Sequence, residues 1–89
     1  MGNMDAGNAH LGSENQSKLD KLFLDMFRAE GVNDEDSPAT IAGWDSLTHL
    51  RLAEALEGVF DVAVDVEDLS AMRSVAKIKE FLRGKGVSL

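Results

Sequence analysis

Cysteine is absent from the chain, as is tyrosine, and there is one proline, Pro38, and one tryptophan, Trp44. Without cysteine, no disulfide framework and no thiolate metal site can form. No apolar run approaches the roughly 18 residues that span a bilayer. No basic segment followed by an apolar one marks the chain for export, so the expected compartment is the cytoplasm, with no membrane partner. Basic residues are scarce too: 9 Lys and Arg face 16 Asp and Glu, a net charge of −7. The deficit is local. Residues 45–70 hold seven acids and one base, Arg51, whereas residues 71–89 hold five bases against Glu80. An acidic middle repels phosphate backbones and argues against nucleic acid. It favours partners with basic surfaces, although a solvated acidic face would look the same.

What is present is enough for one small domain. Of 89 residues, 44% are apolar, which places the chain among folded rather than disordered sequences. The opening "MGNMDAGNAHLGSEN" is rich in Gly and Asn and has no apolar period. Residues 1–16 are therefore expected to be a flexible N-terminal tail, 17–85 the domain, and 86–89 a C-terminal tail. A core of that size rarely supplies more than about 3–5 kcal/mol, which leaves little for strained catalytic geometry.

The apolar spacing is helical. Leu19, Leu22, Phe23, Met26 and Phe27 form one stripe, with Ser17 as cap and Gly31 as stop, so a helix is expected over about 17–30. "VNDEDSPATIAG" reads as a loop, with Pro38 disfavouring helix at Ser37 and Ile41 anchoring the loop to the core. A second helix starts near Asp45 or Ser46 and ends near Phe60–Asp61, with an apolar surface from Leu47, Leu50, Leu52, Leu56, Val59 and Phe60. "DVAVDVEDLS" alternates like a strand, but a lone strand leaves its backbone unpaired. An extended linker and a short helix near 66–70 fit better. The last helix is capped by Ser74, faces Val75, Ile78, Phe81 and Leu82 inward, and stops at Gly84 and Gly86. The fold expected is an all-α, small four-helix bundle with three principal helices and one short one.

The segment "GWDSLTHLRL" places Ser46 at a helix start. Three roles compete for it. As a nucleophile it would need His49 plus an orienting group and an oxyanion hole. "WDSLT" resembles the GDSL box of one esterase family, but Trp44 takes the glycine position and the parallel-sheet pattern of those enzymes is missing. No catalytic residue is assigned, and His49 is expected to be a partly exposed helix residue. As a cap, Ser46 is the poorer choice, because Asp45 puts negative charge at the positive helix end. As an attachment point it suits a phosphate, which the helix dipole and free N–H groups favour. The loop from Asp34 to Asp45 has acids at three positions of a calcium loop, but Ala39 replaces its turn glycine and Asp45 its closing glutamate. No metal site is assigned.

"DSL" before a Leu-rich helix, then "ALEGVFDVAVDVEDL" and "SVAKIKEFL", resembles the acyl carrier protein family over roughly residues 17–83. The resemblance implies a bundle of acyl-carrier type that is not an enzyme. It implies that a phosphopantetheinyl transferase attaches 4′-phosphopantetheine from coenzyme A to Ser46. The arm would carry an acyl group as a thioester between enzymes of a fatty acid, polyketide or related pathway. The partners implied are that transferase and acyl-loading and acyl-processing enzymes with basic docking surfaces, with the chain a monomer. Partner-facing residues carried over are Asp45, Leu47, Glu54, Glu57, Asp61 and Asp65; Leu47 is also expected to tuck into the bundle. Family members in fatty acid synthesis commonly carry acids two and five residues after the serine. Thr48 and Arg51 stand there instead, which resembles stand-alone carriers of specialised pathways. Two alternatives remain: a peptidyl or aminoacyl carrier, and a small helical interaction module with no prosthetic group.

Overall fold

The computed structural model describes the backbone of residues 3–89 and the side chains of residues 12–89. Four helices and no strand are found among the described residues: α1 (Asn3–Phe27), α2 (Ser46–Phe60), α3 (Val66–Ala71) and α4 (Val75–Gly84). This is the expected bundle of three principal helices and one short one.

The stripe of α1 works as the spacing predicts, with Leu19 and Phe23 fully buried and Leu22, Met26 and Phe27 packed at the core margin. Its bounds differ. The helix starts at Asn3, within the segment expected to be a tail, rather than at Ser17. Propensity is a weak prior, and extending a formed helix costs little. No proline interrupts the first 37 residues. The Asn15 side-chain amide also donates to the Ser88 carbonyl at 2.8 Å. The helix stops at Phe27 because Arg28 takes a left-handed conformation, φ 56°, ahead of Gly31.

The loop between α1 and α2 is organised by its own polar side chains. The Asp36 carboxylate accepts from the Asn33 N–H at 2.7 Å and the Thr40 hydroxyl at 2.9 Å. Ile41 is buried, as expected, and so is Trp44. The Trp44 ring centroid lies 5.4 Å from Phe23 and 5.8 Å from Phe27. The loop also supplies the start of α4: the Asp36 carbonyl accepts from Val75 N–H at 2.9 Å and the Asp34 carbonyl from Ala76 N–H at 3.0 Å. Lys79 Nζ reaches the Asp34 carboxylate at 2.8 Å. The acids of the calcium-like spacing are thus spent on separate structural tasks.

Helix α2 turns Leu52, Ala53 and Leu56 inward. Asp61 ends it in a left-handed conformation, φ 54°. The linker that follows is extended, and its backbone is satisfied by a side chain: the Glu57 carboxylate accepts from Val64 N–H at 2.9 Å. The short helix α3 buries none of its own residues, but Met72 just after it is buried. Ser74 caps α4 through Lys77 N–H at 3.1 Å, and Val75, Ile78 and Leu82 are fully buried. Residues 86–89, expected as a tail, fold back instead. Val87 N–H bonds the Leu82 carbonyl at 2.9 Å, and Val87 and Leu89 pack on the core.

Candidate functional site at the start of α2

Two residues free Ser46 from capping. The Asp45 carboxylate accepts from Thr48 N–H at 3.0 Å, and Thr48 Oγ1 accepts from Asp45 N–H at 2.8 Å. This is a reciprocal capping box with threonine in the place usually held by Glu or Gln. The Thr48 hydroxyl also donates to the Gly43 carbonyl at 2.6 Å, which fixes the approach of the loop. Gly43 has φ 87°, and a Cβ there would come 3.8 Å from the Phe27 ring. The Thr48 N–H, and next its hydroxyl, hold the Asp45 carboxyl below the ordinary 3.8, so Asp45 is ionised at neutral pH. Ser46 is the first residue of α2, is exposed, and its hydroxyl makes no hydrogen bond to the described residues.

Beside Ser46 lies a groove of about 290 Å³ between α2 and α3, lined by His49, Leu50, Val66, Leu69, Ser70 and Arg73 together with Ser46. Other surface depressions on the chain have similar volumes, so its contents, not its size, single it out. It has apolar walls, one guanidinium and the hydroxyls of Ser46 and Ser70.

His49 corrects an expectation. It is 5% exposed rather than partly exposed. Trp44 Nε1–H, which can only donate, points at His49 Nδ1 at 3.0 Å. Nδ1 therefore accepts, and Nε2 carries the proton and donates to the Leu69 carbonyl at 2.8 Å. Neither ring nitrogen remains for the Ser46 hydroxyl, so the pair is not a nucleophile and its base.

The other expected partner-facing residues do not form one cluster. Asp45 and Leu47 stand at the start of α2, while Glu54, Glu57 and Asp61 follow along a helix about 22 Å long, and Asp65 caps α3. Leu47 is 58% exposed, so it has no core role. Leu50 and Val59 also face outward, against the expected single apolar surface. Leu47, Leu50, Glu54, Glu57 and Asp61 recur at helical spacing away from the Leu52 and Leu56 side. Glu54, Asp61 and Asp65 are exposed; Glu57 is half-buried and engaged by Val64. Sequence reasoning missed the groove residues Leu50, Val66 and Arg73. The offset of Leu47 and Leu50 from the Leu52 and Leu56 register was the available signal.

The model of the phosphopantetheine attachment site family matches residues 19–82, most of the chain. The chain belongs to that family. No curated protein matches it. The domain is an attachment site for a 4′-phosphopantetheine prosthetic group and a carrier in the general sense, a substrate of phosphopantetheinyl transferases that interacts with the enzymes of its pathway. Among the described residues, no helix of the carrier domain is long and apolar enough to cross a membrane.

Proposed function

We propose that Ser46 is the attachment point and that the chain is an acyl carrier protein, moving an acyl group between cytoplasmic enzymes of a fatty acid, polyketide or related pathway. The observation that carries this reading is the exposed Ser46 hydroxyl, unbonded at the first position of a helix whose capping is done by Asp45 and Thr48. The residues present fit the group. A phosphodiester at this place meets the positive end of the α2 dipole, and the adjoining groove offers apolar walls and the Arg73 guanidinium. When bound, the arm supplies a terminal thiol that holds the acyl group as a thioester. Both His49 nitrogens are committed, so His49 does not take the proton of the Ser46 hydroxyl. In this reading that proton leaves to a group of the transferase.

Partner docking follows the outward stripe of α2. Leu47 and Leu50 present an apolar contact next to Ser46, and Asp45, Glu54, Asp61 and Asp65 add negative charge for enzymes with basic docking surfaces. Glu57 contributes charge while holding Val64. Thr48 and Arg51, where acids are common in fatty acid carriers, support service in a specialised pathway.

The test is intact mass after incubation with coenzyme A and a broad-specificity phosphopantetheinyl transferase. The chain should gain one phosphopantetheine, and Ser46→Ala should gain none while keeping its far-UV circular dichroism. A gain that survives Ser46→Ala overturns the assignment, and no gain in the unaltered chain overturns the carrier reading.

A further inference from the structure

The buried histidine is the one titratable side chain near Ser46 that the carrier reading leaves unused. His49 sits one turn into α2 and bonds on two sides. Its Nδ1 accepts from Trp44, which belongs to the loop after α1, and its Nε2–H donates to the Leu69 carbonyl near the end of α3. The ring planes of His49 and Trp44 are inclined by 28° with centroids 6.0 Å apart, and Trp44 in turn rests on Phe23 and Phe27 of α1. One imidazole thus links α1, α2 and α3. The helix it holds is short: α3 is six residues long and buries none of its own side chains, and its core anchor is Met72 at its C-cap. The same α3 provides Val66, Leu69 and Ser70 to the wall of the groove that opens at Ser46.

We propose that His49 is a positioning residue for the Ser46 site, a neutral, two-sided bridge that sets α3 against α2 and fixes the groove, and that opens when the imidazole takes a second proton. The chemistry is that of the ring's two nitrogens. A doubly protonated imidazole has two donors and no acceptor, so Nδ1–H would face Trp44 Nε1–H and the Trp44 bond is lost. The Leu69 bond survives protonation, so α3 moves with the ring rather than detaching from it. The charged groups facing the ring are few. Arg73 lies across the groove. Asp45, the N-cap just before α2, has its carboxylate bonded to Thr48 N–H. On α3, Asp68 is turned to Asp65 N–H at 3.0 Å and lines a different depression. The face of α1 behind Trp44 is aromatic and brings no charge.

The test uses the unmodified chain, in which Trp44 is the only tryptophan and His10 the only other histidine. With His10→Gln in place, two-dimensional NMR follows the His49 ring, the Trp44 indole N–H and the backbone amides of residues 66–73 from about pH 8 to about pH 5. The expected result is one shared midpoint for the three sets of signals. Hydrogen exchange at α3 amides should rise at least several-fold below that midpoint, while exchange at the Ile78 and Leu82 amides of α4 stays constant. His49→Gln, which cannot titrate, should remove the pH dependence from Trp44 and from α3. The inference is overturned if the ring keeps one protonation state across this range, or if it titrates while the indole and the α3 amides do not move. It is equally overturned if α3 loosens with pH in His49→Gln as it does with histidine present. The importance of the groove to a carrier rests on Ser46 being the attachment point. The titration does not, so the two can fail separately: a chain that gains no phosphopantetheine can still show the shared midpoint.

Discussion

Truncating Phe23 to alanine removes the residue on which the aromatic cluster under the site is built. Its side chain is fully buried in α1, with ring centroids 5.6 Å from Phe27 and 5.4 Å from Trp44. Loss of a buried phenylalanine costs about 3–5 kcal/mol, including the cavity it leaves. The total stability of a domain this small rarely exceeds about 3–5 kcal/mol, so Phe23→Ala should be largely unfolded in water at 25 °C. Phe23→Leu keeps much of the volume and should cost about 1–2 kcal/mol, inside the usual range for core changes. With a urea slope near 1 kcal/mol per molar for a chain of this length, that variant should unfold at a urea concentration lower by about 1–2 M. Far-UV circular dichroism is the assay of choice, because Trp44 emission will respond to its changed neighbour as well as to unfolding. The control is Leu24→Ala on the same helix. Leu24 is 41% exposed, and its truncation should cost no more than about 0.5–1 kcal/mol. Equal losses from Phe23→Ala and Leu24→Ala, or a loss below about 1 kcal/mol from Phe23→Ala, would refute the assignment of Phe23 to the centre of the core.

Acid should destabilise the fold through three carboxyls held below their ordinary value of 3.8: Asp34 by the Lys79 hydrogen bond, Asp36 by the Asn33 N–H, and Asp45 by the Thr48 N–H. The unfolded chain takes up protons first, so this stabilisation is complete above that value and is lost as pH falls through and below it; an unchanged urea midpoint between about pH 6 and about pH 3 would contradict it. Lys79→Ala should release Asp34 and raise the rate of limited proteolysis in the loop 28–45 several-fold with α-helix content retained, and an unaltered rate would show the loop to be held without that ion pair. Glu54→Lys should slow association with a basic partner, and association of the unaltered chain should slow as salt rises, since exposed charges are screened beyond about 8–10 Å at physiological ionic strength; a stopped-flow on-rate indifferent to salt would point to apolar docking through Leu47 and Leu50 instead.

The parts of the fold legible in the sequence are those decided by local chemistry. Caps are local, and Asp45 and Ser74 both cap as their residue types imply. Helical stripes are local, and Leu19 with Phe23, or Ile78 with Leu82, fall inside as their spacing implies. The missed features depend on how neighbouring segments turn toward one another, and in one case on a partner far along the chain. His49 is buried because Trp44 and the carbonyl of Leu69, twenty residues away, satisfy both nitrogens. Residue type alone makes histidine a surface residue as often as not. Glu57, expected to face partners, is also engaged within the chain, because the extended linker turns Val64 N–H toward it. Leu47 and Leu50 were indistinguishable in kind from Leu52 and Leu56, and only the register of the whole helix separates outward from inward. Phe60 illustrates the same limit, since it is half-buried rather than central.

Two amides at the start of α4 carry a consequence for folding order. Val75 and Ala76 donate to carbonyls of the α1–α2 loop, at Asp36 and Asp34, about forty residues earlier. Those bonds cannot form until the loop has closed over a long stretch of chain, and loop closure of that span is entropically late. The first turn of α4 should therefore be among the last structure to lock and among the first to open. Its amide protons give a local clock for that closure, readable without any change to the sequence.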